Sequence, residues 1–299
     1  MSRRPRTVPP PTDAAPPPLL SLLPNLSVLR LSPEDSTDAR AQKRKYQYTR
    51  ILTDDTIRDA VKDVLEEGGA NYAHPRYGLI AGWDVSKVTD MSNMFEGATS
   101  FNGDVSKWTF PKVTNMSYMF AGARRFNGDV SKWEFPNVTN MEAMFSGASF
   151  NGDVSKWTFP KVANMYGMFS GATSFNGDVS GWKFPKVTNM RYMFNGAHSF
   201  NGDLSKWEFP NVTNMEAMFS GAHSFNGDVS KWTFPNVTTM SYMFFGATSF
   251  NGDVSKWTFP EVTDMKNMFK GATSFKGKFS AEALADLQRR NVAYDLRMR

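Results

Sequence analysis

The chain has 299 residues, 40% of them apolar, and no cysteine. That length suits one or two ordinary domains, and the missing cysteine excludes a disulfide framework, thiolate metal sites and a cysteine nucleophile. The net charge of +5 sits at the ends: residues 1–50 carry +5 and residues 276–299 carry +3, which leaves −3 for the body between them. A stripe that tracks phosphate backbones belongs on the folded body, so no nucleic-acid partner is expected.

In chain order, residues 1–45 come first. They are Pro-rich ("PPPTDAAPPPLL") and carry no aromatic residue before Tyr46, the composition of a disordered or polyproline-like basic tail. Arg3, Arg4 and Arg6 precede the first acid, Asp13, which leaves a targeting peptide open. The apolar run at 19–29 leaves a poor signal peptide open. Pro24, Asn25 and Arg30 interrupt the longer run 19–31. A bilayer span needs about 20 apolar residues, so no membrane span is expected.

Residues 46–82 read as an N-terminal helical cap. Within them "TDDTIRDAVKDVLE" (53–66) is an amphipathic helix with Ile57, Val61, Val64 and Leu65 on its apolar face and Gly68-Gly69 after it.

Residues 83–279 repeat. All eight Trp recur at 83, 108, 133, 157, 182, 207, 232 and 257, a spacing of 25 with one step of 24. Sixteen of the 18 Met fall in pairs three apart. Self-similarity at this period means a repeat solenoid of eight coils, each packing only on its neighbours. The short step falls where "GASF" (147–150) replaces "GATSF", which makes that tip a surface loop.

One coil shows the expected parts, a short strand and a short helix. Trp108-Thr109-Phe110 alternates as a strand that Pro111 ends. The column 90, 115, 140, 164, 189, 214, 239, 264 holds only Asp, Asn or Thr, all good N-caps. Met116, Met119 and Phe120 then fit one face of a helix, with Gly122 at its C′ position. Asn127-Gly128-Asp129 predicts a tight turn with positive φ. After the repeats, residues 280–299 read as a C-terminal helical cap and tail, with Ser280 as N-cap and Leu284 and Leu287 facing inward.

The recurring string W-x-x-x-x-V-T-x-M-x-x-M-F-x-G-A-x-x-F-N-G-D-V-S-x-W, clearest in "WDVSKVTDMSNMFEGATSFNGD" (83–104), resembles the BspA-like leucine-rich-repeat surface proteins. The likeness is to their roughly 25-residue subgroup, found in mycoplasmas, lactic acid bacteria and marine algae. "LTDDTIRDAVKDVL" with "YGLIAGWDVSKVTDM" (52–91) is similar to the lead-in of algal members. The resemblance covers about 52–280. It implies a leucine-rich-repeat-like solenoid at the cell surface or outside the cell, with adhesion or protein-binding roles and no catalytic residues.

The rows of like residues offer little chemistry. The Asp column (104, 129, 153, 178, 203, 228, 253) could chelate calcium between coils. Calcium needs more oxygens than one Asp per coil supplies, so closure of local turns is the favoured reading. His198 and His223 share a slot in adjacent coils, yet further ligands are not evident and neighbouring copies hold Thr. No distinctive Ser, His and acid set appears, nor any phosphate-binding loop. No enzyme, cofactor or metal is therefore expected. Paired Met beside Phe reads as core filling. Asn-x-Ser/Thr occurs at Asn25, Asn115, Asn137, Asn211 and Asn236, open to glycosylation if the chain is exported.

The informative positions are those where copies differ. One row follows each Trp and includes Glu134, Lys183 and Glu208. Two more follow the first Met of each pair and include Tyr118, Tyr166, Arg191, Tyr192 and Tyr242. Variation on a fixed frame is how repeat proteins build binding faces, and Tyr and Arg are typical hot spots. The expected function is an extended surface for an unknown protein or glycan; the alternative is an intracellular protein-interaction scaffold.

Overall fold

The computed structural model describes residues 51–69, 73–290 and 293–294. The expected tail, 1–45, lies outside them. Trp83, Trp108, Trp133, Trp157, Trp182, Trp207, Trp232 and Trp257 open units 1 to 8. Consecutive units lie side by side in parallel. Single backbone bridges join Asp90, Asn115, Asn140, Asn164, Asn189, Asn214, Thr239 and Asp264 in series.

The repeated apolar letters all turn inward. In unit 4, Trp157, Phe159, Val162, Met165, Met168, Phe169 and Phe175 are at most 2% exposed. Removing one such side chain from water is worth about 1.5–3 kcal/mol. Like rings then stack on like: Phe120 lies 5.5 Å from Phe145, and Trp157 lies 6.3 Å from Trp182. Phe135 meets Trp157 edge-on at 4.9 Å. A buried indole N–H needs an acceptor, and a carbonyl 28 residues earlier in the chain supplies it: Trp182 Nε1 donates to the Val154 carbonyl at 2.9 Å. Every later Trp repeats that bond. The 24-residue unit stays in phase, with Asn140 bridged to Asn164, and its shortened tip at Ser149 is exposed.

Two local expectations are corrected. The Trp-x-Phe segment forms no strand, because the Trp108 N–H bonds back to the Val105 carbonyl, three residues earlier, at 3.1 Å and Pro111 brings no donor. The Met-x-x-Met-Phe segment forms no helix. Tyr118 and Gly122 are left-handed, with φ of 58° and 68°, and the backbone N–H groups alternate between two destinations. Met116, Tyr118, Phe120 and Gly122 donate across to Asn140, Glu142, Met144 and Ser146 at 2.7–2.9 Å. Met119, Ala121 and Ala123 donate back to Met116, Tyr118 and Phe120 at 3.0–3.3 Å. An α-helix would spend its N–H groups beyond the first turn on its own carbonyls four residues back rather than on the next unit. The N-cap column still caps: Asn115 Oδ1 accepts the Ser117 N–H at 3.1 Å, at the head of a turn rather than a helix.

The Asn-Gly step is also corrected, since Gly128 does not adopt positive φ. Asn127 instead belongs to a side-chain ladder. Its N–H bonds to Asn102 Oδ1 at 2.9 Å, and its own Oδ1 accepts from the Asn151 N–H at 2.8 Å.

Both ends carry helices. Helix α1, Asp54–Glu67, buries Ile57, Ala60, Val61 and Val64. Asp54 accepts from the Thr89 N–H at 2.8 Å, the Thr89 hydroxyl at 2.6 Å and the Asp90 N–H at 3.1 Å. Thr114, one unit on, gives its N–H to the Thr89 carbonyl, so Asp54 stands in for a preceding unit. Burial works against the Asp54 charge, but these hydrogen bonds outweigh it and hold its carboxyl below the ordinary range. Helix α2, Ala281–Arg289, is capped by Ser280, which accepts from the Ala283 N–H at 3.0 Å. It buries Ala283 and Leu287, with Leu284 packed beside them. Arg290 donates to the carbonyls of Phe259, Pro260 and Val262 in the last unit. Strand β1, Asp264–Met265, then pairs in parallel with β2, Ala293–Tyr294.

Candidate binding face

The alternating turn determines what each unit shows to solvent. Its left-handed residue is the second position after the first Met, and the column reads Asn93, Tyr118, Ala143, Gly167, Tyr192, Ala217, Tyr242 and Asn267, with φ of 50–59°. Left-handed backbone suits Gly and is tolerated by Asn; for a bulky residue it is an outlier. Tyr118, Tyr192 and Tyr242 hold it while half-buried.

Two clusters grow from this column and the one before it. In the first, the Tyr118 hydroxyl donates to Glu142 Oε1 at 2.6 Å and Asn164 Nδ2 donates to Glu142 Oε2 at 3.0 Å, which links units 2, 3 and 4. The Glu142 bond, aided by burial, pushes the Tyr118 phenol up to about 12. In the second, Tyr166 meets Tyr192 edge-on at 5.5 Å. The Arg191 guanidinium lies 4.8 Å from the Tyr192 ring centre and 5.9 Å from that of Tyr166. Its Nη2 donates to Glu216 at 2.9 Å and to the Tyr192 hydroxyl at 3.2 Å, while its Nε is buried without a hydrogen-bond partner. Further along, Tyr242 meets Phe245 at 5.8 Å, and Phe245 is 37% exposed.

The structure thus brings Tyr166, Arg191 and Tyr192 together and aligns Tyr118 and Tyr242 with Tyr192 in the left-handed column. Glu134, Lys183 and Glu208 are exposed on the row after Trp, and Lys183 Nζ reaches the Lys206 carbonyl at 3.3 Å; none of the three enters the clusters. Sequence reasoning missed Glu142, Glu216 and Phe245. Both Glu stand in the variable column directly before the tyrosines, so opposite partners at one-unit offsets were the available signal.

The rows of like polar residues are occupied with their own backbone. Asp104 Oδ1 accepts the Ser106 N–H at 2.9 Å, and the bond recurs to Asp253 and Ser255 at 2.8 Å. The Ser hydroxyl and N–H hold the Asp104, Asp129, Asp153, Asp203, Asp228 and Asp253 carboxyls below the ordinary range. His198 and His223 stack in parallel, 4.6 Å apart and 8° from coplanar. Among the described residues, no group of three or more His, Cys, Asp or Glu could hold a metal ion, and no helix is long and apolar enough to cross a membrane. Asn137, Asn211 and Asn236 donate Nδ2 to the carbonyls of Pro111, Pro185 and Pro210 at 2.7–2.8 Å.

No curated protein and no solved structure matches the chain. The model of a family described as mycoplasma protein of unknown function, DUF285, matches twice in tandem, at residues 71–182 and 167–282. These matches together span well over half of the chain, which therefore belongs to the DUF285 family.

Proposed function

We propose that the chain is a non-catalytic, leucine-rich-repeat-like solenoid of the BspA-like kind, and that it presents the left-handed tyrosine column to a protein partner in a surface or adhesion setting. The observation that carries this reading is the placing of Tyr118, Tyr192 and Tyr242 in left-handed backbone. That conformation costs an L-residue roughly 1–2 kcal/mol. Gly167 fills the same slot without the cost, and strain kept in a structure is a pointer to function. Composition supports a protein ligand. The half-buried Tyr118, Tyr166, Tyr192 and Tyr242 stand with the partly exposed Arg191 on this face, and Tyr and Arg are the residue types that dominate interface hot spots. The reading is non-catalytic because a reaction needs unlike groups converging on one point, whereas repeats supply like groups in rows.

The test is affinity capture from the native source with the full chain and with its Tyr118→Ala/Tyr192→Ala/Tyr242→Ala variant. Ala143 and Ala217 already occupy the left-handed slot, so the variant keeps the fold. Loss of the retained proteins is expected, and an unchanged set would remove the face. Labelling of the chain on intact cells separates a surface role from an intracellular scaffold.

A further inference from the structure

The last unit leaves part of its backbone edge open. Tyr242, Phe244 and Gly246 of unit 7 donate their N–H groups to the carbonyls of Lys266, Met268 and Lys270 in unit 8 at 2.8–2.9 Å. Asn267, Phe269 and Gly271 hold the same places in unit 8, and their N–H groups meet no acceptor among the described residues. Strand β2 covers only Asp264 and Met265. Phe269 is 8% exposed, whereas Phe244 is fully buried. An open row of backbone donors is a template for a further chain.

Charge marks the same end. In the seven earlier copies of Phe-Asn-Gly-Asp, Asn and Asp stand where unit 8 has Lys276 and Lys278. With Lys266 and Lys270 they make four exposed ammonium groups, none with an ion pair among the described residues. The asparagine ladder also stops here. The Lys276 N–H bonds to Asn251 Oδ1 at 2.9 Å, but a lysine side chain offers no acceptor in return. Carboxylates accept from amide N–H and ammonium groups alike, so the edge calls for an acceptor-rich, negatively charged occupant.

The other end of the same chain carries one. Helix α1 holds six carboxylates against Arg58 and Lys62. Its buried stripe turns Asp55, Asp59 and Glu66 to the opposite face. All three are exposed and have no hydrogen bond or ion pair among the described residues. Seven steps of about 4.8 Å, roughly 34 Å along the run, separate unit 1 from unit 8, too far for one chain's own side chains to join them. Each copy therefore brings both halves of a contact in equal number, and opposite fields steer such faces together. We propose that copies of this chain bind head to tail, the outer face of α1 in one docking on the Asn267–Gly271 edge and its lysines in the next. The two surfaces are different, so a pair keeps one free surface of each kind and grows by further addition.

Sedimentation velocity of the full chain over a range of concentrations tests this. Association that rises with concentration at low salt and falls as salt screens the charges is expected. One variant neutralises the edge (Lys266→Gln/Lys270→Gln/Lys276→Gln/Lys278→Gln), and another neutralises the helix (Asp55→Asn/Asp59→Asn/Glu66→Gln). Each alone should associate about tenfold or more weakly, and melting temperatures check that both fold. An equal mixture of the two should form pairs and stop there, because each supplies the one surface the other lacks. A mixture that associates no better than either variant alone would overturn the proposal, as would association that survives in both variants. An unmodified chain that stays single at every concentration would overturn it too and leave the lysines as a guard on an open edge. If that single chain also bound hexaglutamate, the edge would belong to an acidic segment of another protein instead.

Discussion

Gly167 and Gly227 are the same letter under different constraints. At Gly167 φ is +55°, and an added Cβ would meet only the Ser170 Cβ at 3.5 Å, an ordinary contact. Gly167→Ala should therefore cost only the conformational penalty, about 1 kcal/mol once the stiffer unfolded chain is counted. At Gly227 φ is not positive, but a Cβ would lie 2.8 Å from the Gly202 carbonyl oxygen and 3.0 Å from the Phe225 ring. Backbone of the neighbouring unit cannot give way, so Gly227→Ala should lose about 3 kcal/mol, the upper part of the overpacking range. Denaturant unfolding of the two variants measures the difference; equal losses would mean that the two glycine columns share one role. This is also where the sequence was hardest to read. Asn-Gly suggested a left-handed turn at Gly128, and nothing in the letters distinguishes a glycine kept for its φ from one kept to let two units approach. The left-handed column itself was hidden because Tyr, Ala, Asn and Gly share it, and only the alternating bonds to the next unit impose that conformation.

At the scale of the element, the end caps were legible and the repeat's turn was not. Helices α1 and α2 are governed by local chemistry: the Thr53 and Ser280 caps, a buried stripe, and Gly68 after the first. Met116, Met119 and Phe120 obey the same helical spacing, yet the destination of each N–H is set by a unit 25 residues away, which no local pattern encodes. The paired elements also make acid and alkaline behaviour testable. For Asp104, Asp129, Asp153, Asp203, Asp228 and Asp253 the folded pKa is depressed, so their contribution is present above the unfolded carboxylate pKa of about 3.9 and is lost as pH falls through the folded values. The melting temperature should thus hold above pH 5 and drop below pH 4. Replacing Asp129, Asp203 and Asp228 by Asn keeps the acceptor of each turn and should flatten that acid limb. Tyr118 runs the other way. Its pKa is raised to about 12, so the contribution is full below the unfolded value of about 10 and is lost as pH rises through 12. Ultraviolet titration, with Tyr118→Phe subtracted, should show one phenol near 12 that returns toward 10 in Glu142→Gln. A Tyr118 that titrates ordinarily in the unmodified chain would break the link drawn between units 2 and 3.

Across the whole run of units, stability should behave as a chain of nearest-neighbour terms. The rings show why: Phe169 touches Phe145 of the unit before at 5.6 Å and Phe194 of the unit after at 5.8 Å, with Phe175 of its own unit at 3.9 Å. The backbone bridges likewise join only adjacent units. The position of a lesion should therefore matter as much as its chemistry. Phe169→Ala removes a fully buried ring from unit 4, worth about 3–5 kcal/mol, and divides the run into two blocks, each holding one helical cap. Phe269→Ala removes the equivalent ring from unit 8 and leaves seven consecutive units intact behind the α1 cap. Denaturant unfolding of Phe169→Ala should broaden or split, with a smaller slope, because less surface is exposed in each step. Phe269→Ala should keep a single main transition after early loss of the end. Hydrogen exchange adds the spatial readout: in Phe169→Ala the cross-unit amides around Phe169 should lose protection first, while Tyr118 and Phe219, which donate to Glu142 and Met243, keep theirs. If both variants instead unfold in one sharp step with the slope of the unmodified chain, the units are coupled far beyond their neighbours. A single shared core would then replace the additive picture.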